Sequence, residues 1–172
     1  AYTNVFLAEY FLATGDQEIL PVLEEYTVSL AKAQGCYGTI GHHASGRTAD
    51  GGFHGSAEGY GPVNAAGLVS NMSIVLGKKC GIKDPEIDPA IERASRFFGY
   101  FANKGTIPYG EHVPGSETHE SNAKNAMAAI FFSIQSKRAE QARFFQKMAT
   151  AAYENREYGH TGQGFLHIWG LA

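Results

Sequence analysis

Apolar residues recur with the period of an α-helix in three places. Ile19, Val22, Leu23, Tyr26, Leu30 and Ala33 fall at offsets 0, 3, 4, 7, 11 and 14, and Ile87, Ala90, Ile91, Ala94, Phe98 and Phe101 repeat the same offsets. Ala142, Phe145, Ala149 and Tyr153 form a looser third set. Such spacing lines up side chains on one stripe of a helix. Polar residues fill the other side, Glu24, Glu25 and Lys32 in the first set and Glu92, Arg93 and Arg96 in the second. These are helices with one wet face. Segments 3–13, 63–77 and 122–134 differ, being apolar or small almost all round. Helices of that kind are buried on most sides.

The chain therefore alternates buried helix and amphipathic helix three times. The joints agree. Gly15–Asp16 reads as a helix stop followed by a cap, and Asp84–Pro85 as a cap followed by a first-turn proline. Strand patterning is nearly absent. Asn4, Asn64 and Asn122 open the three buried helices at spacings of 60 and 58 residues, which marks an internal repeat. Asparagine at a helix start predicts a cap on the free N–H groups there. After the first two amphipathic helices the chain writes nearly the same phrase, GTIGHHASG from Gly38 and GTIPYGEHVPG from Gly105. YGHTGQG from Tyr158 follows the third, and a fourth buried helix begins in GQGFLHIWGLA.

This organisation predicts an all-α fold, one domain over 1–172, with repeats at about 2–59, 60–119 and 120–160 and the start of a fourth at 161–172. Buried helices form an inner layer and amphipathic ones an outer layer, each pair covered by its neighbours. Three pairs and a beginning make an arc, a half-ring or a fragment. Only 18% of residues are charged, against roughly 25% in an average soluble domain, which fits an arc whose ends something else covers. Net charge is −3 with 14 Lys and Arg, so nothing points to nucleic acid. No run approaches 18 apolar residues, so no membrane-spanning helix is expected. The two cysteines, Cys36 and Cys80, are too few for a disulfide framework.

Gln34-Gly35-Cys36-Tyr37-Gly38-Thr39-Ile40 resembles the Q-x3-G-x-W turn that closes outer helices in squalene-cyclase-type α/α toroids, with Ile40 in the tryptophan's place. The whole chain, from FLAEYFLATGD to YGHTGQGFLHIWG, is similar to a bacterial family carrying such a toroid, often within a longer exported protein that has a PDZ-like domain. The resemblance implies a terpenoid-cyclase-like toroid and is silent on activity. It implies that the remainder of a longer chain, or a second copy, completes the ring, and that the protein is exported. CYGTIG and YGHTGQG also resemble signatures of lanthionine-synthetase cyclases, which bind zinc through two cysteines and a histidine. Tyr158 stands where the second cysteine would, and Cys80 lies at a helix end, so zinc is not carried over as written.

The candidate chemistry lies in the loops that lead into the buried helices. They hold His42, His43, His54, His112, His119 and His160, with His167 in the last helical stretch. Repeat geometry puts equivalent loops on one rim, where imidazoles could bind a metal or move protons near neutral pH. Glu111 and Glu120 flank His112 and His119 and could orient the rings. No local metal spacing such as HExxH occurs, and histidines in repeat turns commonly serve the backbone instead. Loop 49–62 carries Asp50, His54, Glu58 and Tyr60 without a phosphate-loop lysine. Asp50 and Glu58 could be paired carboxylates of a glycosidase, and Tyr60, Tyr109 and Phe53 could stack on sugars; the plain alternative is a surface loop. Glu9, alone in an apolar helix, is either a general acid or the partner of Lys124 on another buried helix, the second being favoured.

Three functions follow. The first is a domain binding a polysaccharide or peptide ligand through His42, His43, Asp50, His54, Tyr60 and Glu111. The second is a carbohydrate lyase or hydrolase using residues among His112, His119, Tyr109, His160 and Glu58. The third is a zinc-dependent cyclase. Toroids that act on polysaccharides supply the second by analogy of fold alone.

Overall fold

The computed structural model describes residues 1–44, 48–52, 61–110, 121–155 and 168–170, with only the backbone at His43, Ser121 and Asn155. Six α-helices run through them, and no strand is present among the described residues. They are α1 Tyr2–Thr14, α2 Leu20–Ala33, α3 Asn64–Lys79, α4 Ile87–Gly99, α5 Lys124–Ser133 and α6 Ala139–Ala151. Each falls where the hydrophobic pattern places it. Gly15 ends α1 in the left-handed region, φ 71°, and its N–H donates to Phe11 O. Asp16 then accepts from Glu18 N at 3.0 Å, and Asp84 from Glu86 N at 2.9 Å just before α4.

The apolar-all-round helices make one row. α3 packs between α1 and α5, while α2, α4 and α6 lie against α1, α3 and α5 respectively. α2 also touches α3 and α4, which locks successive pairs together. Each amphipathic helix turns one face inward, Leu23, Thr27 and Ala31 of α2, Ala90, Ala94 and Phe98 of α4, Ala142 and Phe145 of α6, whereas Val22 and Tyr26 of the expected α2 stripe and Tyr153 of the third set are exposed. One core joins α3, α4, α5 and α6 around Leu68, Met72, Phe98, Phe131, Phe132 and Phe145. Phe132 and Phe145 stack nearly parallel across α5 and α6, with centroids 5.7 Å apart. A second core joins α1, α2 and α3 around Leu23, Ile74 and Leu76.

Close approach of α2 and α3 depends on Gly77. A Cβ there would lie 2.2 Å from Thr27 Oγ1. Thr27 in turn accepts from Asn4 Nδ2 at 3.1 Å, so α1, α2 and α3 meet at one buried polar contact.

Three expectations change. α3 and α5 are buried almost all round, but α1 buries only Asn4 and Ala8 and leaves Tyr2, Phe6, Tyr10 and Leu12 exposed. Its apolar surface is real, yet besides α3 no second inner helix covers it among the described residues. Glu9 is accordingly exposed, whereas Lys124 is buried at the start of α5, and no ion pair joins them. The asparagines are not caps. Asn4 and Asn64 lie inside their helices and donate to distant partners, and Asn122 sits in a turn before α5 with φ 68°. Of the fourth repeat, Trp169 packs against Ala123 and Ala126 with its ring 6.1 Å from that of Tyr2; residues 161–167, 171 and 172 lie outside the described residues.

Candidate functional site

The repeated Gly-Thr-Ile phrase is a structural device that seats each returning loop on the next inner helix. In the first copy Gly38 has φ 93°, and Thr39 and Ile40 are buried. Ile40 rests on Gly67 of α3, where a Cβ would lie 2.9 Å from its carbonyl oxygen. Asn71 of α3 donates to Gly38 O at 3.1 Å and to Gly67 O at 2.8 Å. In the second copy Gly105 also has positive φ, and Thr106 and Ile107 are buried. Asn125 of α5 donates to Thr106 Oγ1 at 3.0 Å and accepts from Ile107 N at 3.4 Å. In each of α3 and α5 an asparagine amide, offering both donor and acceptor, holds its copy of the phrase.

Gln34 secures the first turn further. Its Nε2 donates to Asn71 Oδ1 and to Ala90 O, both at 2.8 Å, and its Oε1 accepts from Arg93 Nε at 2.7 Å. The amide thus ties the end of α2 to both α3 and α4. Buried amides with every group matched fix a single geometry, because an unmatched one is costly.

The second loop reaches back as well as forward. Beyond Ile107, Tyr109 O accepts from Asn64 N, and Asn64 Nδ2 donates to Pro108 O and Gly110 O, all at 2.9 Å. Segment 105–110 therefore bridges the starts of α3 and α5. Asn64 Oδ1 is left buried with no hydrogen-bond partner, as is Asn4 Oδ1. The loop that carries His42 and the loop that carries Tyr109 meet the same first turn of α3, through Gly67 and Asn64.

His42 stands exposed in a short helical turn, His42–Ala44, just after Ile40. Tyr109 is half-buried against the main core. Asp50 is exposed and turned onto its own loop, accepting from Thr48 Oγ1 and from Gly52 N at 3.3 Å. The side chain of His43, and His54, Glu58, Tyr60, Glu111, His112, His119, Glu120, His160 and His167, lie outside the described residues, as does Phe53.

Among the described residues no three His, Cys, Asp or Glu side chains gather to hold a metal. The two thiols stand apart. Cys36 is half-buried in the turn beside α4, whereas Cys80 ends α3, nine residues or about 13 Å of helix beyond Asn71. Cys80 Sγ donates to Ala8 O at 3.5 Å, and burial, helped by the Glu9 carboxylate, pushes its thiol pKa up. Sequence reasoning missed Gln34 as a link to α4, and missed Asn71 and Asn125 entirely. Their signal is an amide inside an otherwise apolar helix.

Residues 1–172 match the family described as a domain of unknown function, DUF6288, and the chain belongs to that family. No curated protein and no solved structure matches it.

Proposed function

We propose that this DUF6288 chain is a ligand-binding helical-repeat domain, an arc of the α/α-toroid type whose loop rim takes a polysaccharide. The observation that supports it is the convergence of two successive loops, those of His42 and Tyr109, on the first turn of α3. A rim built by tying loops of different repeats to one helix end can present side chains distant in sequence to one ligand. His42 and Tyr109, with His112, His119 and His160 of the same loop set, are the residues assigned to that surface.

The test is binding of the intact chain to a panel of polysaccharides, with peptides as the alternative class. His42→Ala and His112→Ala should weaken binding at least tenfold while leaving the melting temperature unchanged. A panel without a single binder, or binding indifferent to both variants, overturns the reading. Assays for unsaturated products and for reducing ends run on the same incubations; a product in either replaces simple binding with lyase or hydrolase action.

The open face of α1 supports a second element of the reading. Phe6 is 67% exposed, with Tyr10 stacked on it at 6.3 Å, and Tyr2 and Leu12 of the same helix are exposed as well. An apolar surface of this kind is costly in water and marks an interaction site. An occupant in keeping with the repeat is another inner-type helix, packed on α1 as α1 packs on α3. We assign that helix to a second copy of the chain.

A further inference from the structure

We infer that a groove on the outer side of α4 is a binding site for a small oxyanion carried on a flat or sugar ring, such as a uronate or an aryl phosphate. It is separate from the loop rim and rests on none of the residues assigned there. The groove encloses about 530 Å³. Arg93, Arg96, Phe97 and Tyr100 line it from α4 and the residue beyond, at spacings of three, four and seven that place them on one helical face. Cys36 and Tyr37 line it from the turn after α2.

The turn is held against the helix by backbone contact. A Cβ on Gly38 would lie 2.4 Å from the carbonyl carbon of Arg93, so only glycine lets residues 36–38 come this close. Tyr37 is thereby brought to the groove that Tyr100 also lines. Both residues are more than half exposed. Lys104 Nζ sits 3.4 Å from the centroid of the Tyr100 ring, a cation–π contact.

The charges are unmatched. Arg93, which lines the groove, spends its Nε on the neutral oxygen of Gln34, which keeps the guanidinium oriented and leaves its terminal nitrogens without a carboxylate partner among the described residues. Arg96 makes no ion pair among the described residues. The adjacent acid, Glu92, is taken by Arg138 at 2.6 Å, and Asp88 by Lys78. No carboxylate lines the groove among the described residues. Two guanidiniums without acids favour an oxyanion, two of whose oxygens a guanidinium fork can grip in bidentate fashion. Flanking tyrosine rings favour a flat apolar face beside that anion. Gln34, itself fixed by Asn71 and Ala90, removes the freedom Arg93 would otherwise lose on binding.

Calorimetric titration with a galacturonate disaccharide and with phenyl phosphate tests this, with the neutral galactose disaccharide and inorganic phosphate as controls. Binding of at least one ring-borne anion, tighter than both controls and weakened by salt, is expected. Arg96→Gln should weaken it about tenfold and Arg96→Lys less, since lysine keeps the charge and loses the fork. Tyr37→Ala should cost a similar factor. Bound ligand should also slow alkylation of Cys36 and leave Cys80 unaffected, which locates it in this groove. Failure of both anions to bind, affinity equal to that of inorganic phosphate, or affinity unchanged by Arg96→Gln and Tyr37→Ala overturns the inference.

Discussion

Gly38→Ala perturbs the turn on which both the rim and the outer groove depend. Gly38 holds φ 93°, a region that costs an L-residue about 1–2 kcal/mol. The added methyl carbon would lie 2.4 Å from Arg93 C and 2.5 Å from Ala94 N, both backbone atoms of α4 that cannot rotate aside. Displacing the turn is an overpacking strain of about 1–3 kcal/mol. The two together come to roughly 2–5 kcal/mol, against a total of about 5–15 kcal/mol for a typical domain. At about 2–4 °C per kcal/mol for a chain of this size, the melting temperature should fall by roughly 4–20 °C. Gly15→Ala is the control. Gly15 has φ 71° with nothing within 4 Å of a new Cβ, so it carries the backbone cost alone, about 1 kcal/mol. Thermal and urea unfolding of both variants, followed by far-ultraviolet circular dichroism, measures the difference. If Gly38→Ala is no less stable than Gly15→Ala, the turn is not pressed onto α4, and the geometry derived from that contact is wrong.

Other perturbations test separate joints. Asn125→Ala removes the partner of Thr106 Oγ1 and Ile107 N, both held by a side chain that is fully buried, and should cost roughly 1–3 kcal/mol for each group left unmatched, read by urea unfolding. Phe98→Ala, at the centre of the main core, should cost about 3–5 kcal/mol in the same assay. Because burial and then the Glu9 carboxylate raise the Cys80 thiol pKa, the fold favours the neutral thiol. Its contribution is therefore complete below the ordinary thiol range and lost as pH rises through the raised value, a loss that Cys80→Ala should abolish in unfolding curves above neutral pH. If a second copy covers α1, sedimentation should show a concentration-dependent dimer that Phe6→Asp disrupts without lowering the melting temperature; a monomer at every concentration refutes that assignment.

The helices were legible because their signal is local. A stripe such as Ile87, Ala90, Ile91, Ala94 and Phe98 needs no knowledge of the rest of the chain, and α4 begins at Ile87 as the pattern requires. Burial of a whole helix is a different matter. The residues of α1 are as apolar as those of α3, but composition records only that a helix can be covered, not that a neighbour is there. The asparagines failed as caps for a related reason. A shift of one residue separates a cap from a first helical position, and Asn64 falls on the helical side, where its amide faces residues 108–110.

For the site, the repeated Gly-Thr-Ile phrase marked the loops correctly, while the residues that anchor them did not announce themselves. Asn71 and Asn125 lie 33 and 19 residues from the partners they hold, a pairing no local pattern encodes. Arg93 and Arg96 read as an ordinary wet face because Tyr37 and Gln34, which turn that face into a groove, arrive from another helix pair.

The most direct test of the central claim, that loops of successive repeats are tied to the starts of neighbouring inner helices, is a set of nuclear Overhauser contacts from asparagine side-chain amides. The account requires cross-peaks from the Nδ2 protons of Asn71 to Gly38, of Asn64 to Gly110 and of Asn125 to Thr106, with all three amides slow to exchange with solvent. Rapid exchange of these amides, together with the absence of all three contacts, would contradict it.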